Sequence, residues 1–136
     1  MTLMDEDVAD RLGLEPGQIV REIGWDEDSD HDLREAAAAR TGTDLMDENY
    51  DDTVDIVLLW LRDGDADLCA VLSEALVSLA CRGCIWLLTP KVGRGMYVKP
   101  SAIAEAATSA GLARTRFLSV SGDWYGTRLA VPKRRV

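Results

Sequence analysis

Two cysteines three apart, Cys81 and Cys84 in "CRGC", are the most chemically suggestive pair in the chain. A C-x-x-C pair does thiol–disulfide chemistry when it follows a strand and opens a helix, where the helix dipole stabilises the thiolate. Here it follows an apolar helical stripe and precedes the strand-like "CIWLLT". The expected dipole beside Cys81 therefore has the opposite sign, offset in part by Arg82. Cys69 lies twelve residues earlier on the same expected helix. At the helical rise that is about 18 Å away, too far to share a metal easily. The pair is kept as a redox alternative, and the thiols otherwise read as ordinary reduced cysteines.

A second chemical stretch is "QIVREIGWDEDSD", residues 18–30. It opens like a strand running into a glycine loop that would cradle a cofactor, then turns to carboxylates. Asp26, Asp28, Asp30 and Asp32 alternate as calcium ligands do, but an EF-hand loop needs glycine at its sixth position and glutamate at its twelfth. Counted from Asp26 these are His31 and Ala37. No metal site is assigned, and the acids read as residues favoured beside a helix N-terminus. The single His31 has no serine or cysteine partner in a nucleophile motif, so no catalytic residue is assigned.

The elements that must position these residues belong to one domain, residues 1–136, of mixed α/β type. With 47% hydrophobic and 29% charged residues the composition is that of an ordinary globular protein. A net charge of −9 argues against general nucleic-acid binding. The exception is the basic tail Lys133, Arg134 and Arg135, read as a solvated terminus. No apolar run reaches membrane-spanning length, and "MTLMDEDVAD" lacks the features of a signal peptide, so a cytoplasmic setting without membrane contact is expected.

A short helix is expected through "VADRL", capped by Asp5 or Asp7 and stopped by Gly13. A first strand, "QIVREIG", leads to a helix over about residues 30–40 with Asp28 or Ser29 as cap. "TDLMDENYDD" reads as a loop. "VDIVLLWL" is apolar on both faces, as a central covered strand should be. Leu68, Val71, Leu72, Ala75, Leu76 and Leu79 form the stripe of a third helix, ended by Gly83. "CIWLLT" is another buried strand, "SAIAEAATSA" a fourth helix, and "RTRFLSV" with "GTRLAVP" a closing hairpin across "SGDWY". This order predicts a Rossmann-like, mostly parallel sheet flanked by helices, with a C-terminal antiparallel hairpin.

The succession resembles a shortened class I methyltransferase fold, most clearly over residues 54–131. More specifically, "GWDEDSDHDLREA", "DIVLLWLRDGDADL", "IWLLTPKVGR" and "DWYGTRLAVPK" resemble the small actinobacterial family of domain of unknown function 3052. That family implies the fold and transfers no activity. In methyltransferase-like proteins the first strand ends in an acidic residue and a G-x-G-x-G loop. Glu22, Ile23 and Gly24 match its opening, but Trp25, Asp26, Glu27 and Asp28 follow. The later glycines that allow close approach are missing, so no cofactor is expected.

In open parallel sheets, ligands and partners meet the loops at the carboxyl ends of the strands. That edge gathers Trp25 and Asp26, then Arg62 with Asp63, then Lys91 and Arg94, and Asp123 with Trp124 and Tyr125 at the hairpin turn. Tryptophan and arginine on loops are frequent anchors of contacts. The sequence therefore favours a non-catalytic interaction or regulatory module with a protein partner. The alternative is a small-molecule-binding enzyme or sensor at the same edge. A homo-oligomer is left open.

Overall fold

Apolar runs with no polar face make strands covered on both sides. In the computed structural model, which describes residues 4–64, 67–93 and 95–132, two such runs lie in the middle of the sheet. They are β2 (Val54–Trp60) and β3 (Leu79–Pro90), paired in parallel. β1 (Val20–Ile23) adds parallel to β2, and the sheet order is β1-β2-β3-β5-β4. The hairpin of β4 (Ala113–Ser119) and β5 (Trp124–Ala130) closes it, with β5 antiparallel between β3 and β4. The expected mostly parallel sheet with a terminal hairpin is the one observed.

Strand alternation sorts the core into two layers. On one face α1 (Met4–Leu12) and α2 (His31–Thr41) cover Val20, Ile56, Leu58, Trp60, Trp86 and Leu88. On the other, α3 (Leu68–Val77) and α4 (Pro100–Ser109) cover Val57, Leu59, Ile85, Leu87 and Leu129. The Trp86 indole N–H donates to the Leu12 carbonyl at 2.9 Å, which ties the end of α1 to the centre of the sheet. Among the described residues no helix is long and apolar enough to cross a membrane.

Four local expectations are corrected. The cap of α2 is Asp30, whose carboxylate accepts from Leu33 N at 3.1 Å; Asp28 and Ser29 are taken by Arg62. The acidic loop is not wholly irregular, since Met46 bridges Arg21 in parallel and covers the outer edge of β1. The third helix ends at Val77, and Gly83 lies inside β3. There Val54 faces Leu79 while Ile56 already faces Cys84, so β3 bulges, and a Cβ on Gly83 would stand 2.5 Å from the Asp55 carbonyl oxygen. Glycine is needed at that close approach and not as a helix stop. Finally, Trp124 and Tyr125 open β5 instead of forming the hairpin turn.

Candidate functional site

At the carboxyl end of β1, alternation sends Glu22 and Trp60 to the same face of the sheet. Glu22 is only 5% exposed. Its carboxylate accepts from the Trp60 indole N–H at 3.0 Å, and from Arg34 Nε at 2.9 Å and Arg34 Nη2. Trp60 stands edge-on between two further tryptophans, with ring centroids 5.7 Å from Trp25 and 4.9 Å from Trp124. Arg34 completes the layer with its guanidinium 3.6 Å over the Trp25 ring. The result is a continuous aromatic and ionic cluster reaching from the helix α2 side to β5.

The loop after β1 is held by its own chain. Gly24 has φ +82°, and a Cβ there would fall 2.3 Å from the Trp60 carbonyl oxygen. Its N–H donates to the Glu48 carboxylate at 2.9 Å. Its carbonyl accepts from Arg62 Nη1 at 2.9 Å, and the same guanidinium pairs with Asp28 at 2.5 Å and donates to Ser29 Oγ at 2.9 Å. Arg62 is a buried clamp that fixes the turn from β1 into α2.

The sequence-predicted positions divide accordingly. Trp25 and Trp124 do lie at one end of the sheet, connected through Trp60. Trp124, however, is 1% exposed and donates its indole N–H to the Asp28 carbonyl at 3.2 Å. Reading it and Arg62 as exposed loop anchors is thereby corrected: the strand begins earlier than the turn signals imply, and the guanidinium finds carboxylate and carbonyl partners inside. Asp26 is exposed, with Oδ1 accepting from Glu27 N at 2.8 Å. Lys91 is half-buried, its ammonium on Ser119 Oγ and its N–H donating to the carbonyl of exposed Asp123 at 2.9 Å. Arg94 and the tail Lys133, Arg134 and Arg135 lie outside the described residues.

Glu48, Trp60 and Arg34 were not legible as site residues; the period of two that puts Glu22 and Trp60 on one face was the available signal. Together Gly24, Trp25, Asp26, Glu48, Trp60 and Arg62 line a cleft of about 530 Å³ that also touches Arg21. Arg21 is 7% exposed; it donates to the Glu48 carbonyl and Ser78 Oγ, and its Nε has no partner. Among the described residues no group of three or more histidine, cysteine or acidic side chains is arranged to hold a metal ion.

Cys81 and Cys84 are both on β3, so neither helix dipole sign applies, and Cys69 is not on the same element as Cys81. Cys81 is exposed and Cys84 buried, all three thiols being free. Burial pushes the Cys84 thiol above its usual range, against the opposing charge and hydrogen bond of Arg128. A thiol raised in the folded state is protonated where the unfolded one ionises, so it contributes stability that is lost as pH climbs from the unfolded value through the folded one. We expect Cys84→Ala to flatten the alkaline fall in stability relative to the parent, and a change at exposed Cys81, Cys81→Ser, to leave the melting temperature unchanged. Denaturant melts between neutral and alkaline pH check this. An unchanged alkaline slope in Cys84→Ala would remove Cys84 as its source.

The fold is similar to those of solved methyltransferases. The chain aligns with the pyocyanin biosynthetic protein PhzM at a TM-score of 0.70 and 13% identity, covering 96% of this chain and 55% of that one. It aligns with a SAM-dependent methyltransferase from Aquifex aeolicus at 0.60 and 15%, covering 93% and 90%. Such likeness establishes the fold alone. In sequence it is 46% identical over 127 residues to the uncharacterised proteins Mb2263c of Mycobacterium bovis and Rv2239c of Mycobacterium tuberculosis, covering 93% of this chain and 80% of each relative. Residues 9–133 match the family described as "Protein of unknown function (DUF3052)", and the chain belongs to that family.

Proposed function

We propose that this chain is a non-catalytic, cytoplasmic interaction module that uses the carboxyl edge of a methyltransferase-like sheet to hold a protein partner. The observation that carries this reading is the loop between β3 and α4. Val92 is 67% and Met96 58% exposed, and Met96 sits in the left-handed region at φ 58°. An unbranched apolar side chain held outward in a conformation that L-residues avoid marks a contact position. The Met96 carbonyl accepts from Asp63 N at 2.9 Å, which joins this loop to the one after β2. Exposed Asp63 is joined to it by that bond, and exposed Asp123 is joined to Lys91 at the end of β3, where its carbonyl accepts from Lys91 N at 2.9 Å. The surface therefore suits a partner with an apolar anchor and a basic rim.

S-adenosylmethionine, the cofactor that the fold implies, does not fit the residues present. The space a loop glycine leaves for a ligand is filled at Gly24 by the Trp60 carbonyl, its N–H is engaged by Glu48, and Glu22 is engaged by Trp60 and Arg34. A second reading, a small anionic ligand in the 530 Å³ cleft, is favoured by buried Arg21 and its unpartnered Nε.

Affinity purification from the native host tests the first reading. The double variant Val92→Ser with Met96→Ser should recover the parent's partner about tenfold less well with an unchanged melting temperature, as both positions are exposed and contribute little to stability. Equal recovery by parent and variant sinks it. Calorimetry at millimolar S-adenosylmethionine should show no heat; micromolar binding there would restore the cofactor.

A further inference from the structure

At the opposite end of the sheet, three arginines stand on three neighbouring strands. They are Arg82 of β3, Arg128 of β5 and Arg116 of β4, and all line one cavity of about 240 Å³ under the end of α1. Arg116 and Arg128 are direct cross-strand partners. Like charges placed directly opposite one another destabilise a strand pair unless something between them is negative. Ion pairs join Arg34 to Glu22, Arg40 to Asp10 and Arg62 to Asp28, and among the described residues none includes these three. Arg116 gives one N–H to the Arg11 carbonyl at 3.0 Å, and Arg128 gives one to Thr115 Oγ1 at 2.9 Å. Arg128 also sets its charge beside the buried Cys84 thiol. Asp55, also lining the cavity, forms no ion pair with them and accepts from Ile19 N at 2.8 Å.

A chain of net charge −9 thus collects three cations around one hollow against a single lining carboxylate, Asp55. Each guanidinium has five N–H donors in a planar fork, and those used above leave most of them unassigned. We infer that this cavity is a binding site for a small phosphate-class oxyanion, distinct from the edge assigned to partner recognition. A polyanion matches three guanidinium charges lining one cavity, whereas a single carboxylate matches one. The volume is below that of most drug-sized sites, which suits a phosphate or diphosphate group.

The test uses the whole chain with inorganic phosphate and pyrophosphate as probes, against sodium chloride at equal ionic strength. At about 10 mM, either anion should raise the melting temperature above the chloride control, because a ligand specific to the native state stabilises it. A larger shift with pyrophosphate than with phosphate identifies a diphosphate group, and the reverse a monophosphate. Arg82→Ala is the safest variant, since Arg82 is exposed and has no hydrogen bond or ion pair among the described residues. It should melt like the parent in chloride and bind the probe at least about tenfold more weakly by calorimetry, the loss expected for one charge-assisted contact. Arg128→Lys, which keeps the charge without the fork, should fall between parent and Arg82→Ala. No shift beyond chloride, or equal affinity in parent and Arg82→Ala, overturns the site.

Discussion

Trp60→Ala is expected to lower the unfolding free energy by about 3–5 kcal/mol, the range for removing a buried aromatic ring. The ring is 1% exposed and lies between Trp25 and Trp124, so its loss opens a cavity with two tryptophans on its rim. It also deprives buried Glu22 of a donor, leaving Arg34 as its remaining side-chain partner. Trp60→Phe separates the two effects. It keeps much of the packing and removes the indole N–H together with part of the bicyclic ring, so a smaller loss of roughly 1–3 kcal/mol is expected. Urea melts followed by circular dichroism measure both. If Trp60→Ala unfolds within error of the parent, the three-tryptophan layer does not hold this end of the sheet.

Gly24→Ala should be nearly as damaging, although it adds a single methyl group. The left-handed conformation costs a non-glycine residue about 1–2 kcal/mol, and forcing extra atoms into a packed site roughly 1–3 kcal/mol more. Here the obstruction is a backbone atom, the Trp60 carbonyl oxygen 2.3 Å from the new Cβ, which cannot rotate away as a side chain would. A glycine kept only for ligand approach would tolerate alanine in the unliganded fold and lose binding alone. Thermal melts without any ligand therefore discriminate: a drop of many degrees assigns Gly24 to the internal contact, and an unchanged melting temperature returns it to the cleft.

Much of the fold was legible because local rules and tertiary demands agree. "VDIVLLWL" is apolar on both faces and forms the covered β2, and Gly42 ends α2 at φ +87° as expected after a helical run. The failures came where a tertiary contact outweighed a turn signal. Gly83 looked like a helix stop, but it serves the close approach of β3 to Asp55. Asp28 and Ser29 looked like caps, but a guanidinium from the end of β2, thirty-odd residues away, takes both.

By itself the sequence determined the family, the α/β order and the break in the glycine pattern after Gly24, because those depend on residue type and short-range period. Whether the edge residues face water or the core was decided only by tertiary structure. Burial is a property of what packs against a residue, and Trp124 is covered by Trp60 and Arg62, both distant in the chain. The same holds for the arginines at positions 82, 116 and 128. They are scattered in sequence, and the cross-strand register that sets Arg116 opposite Arg128, with β5 inserted beside β3, gathers them on one cavity.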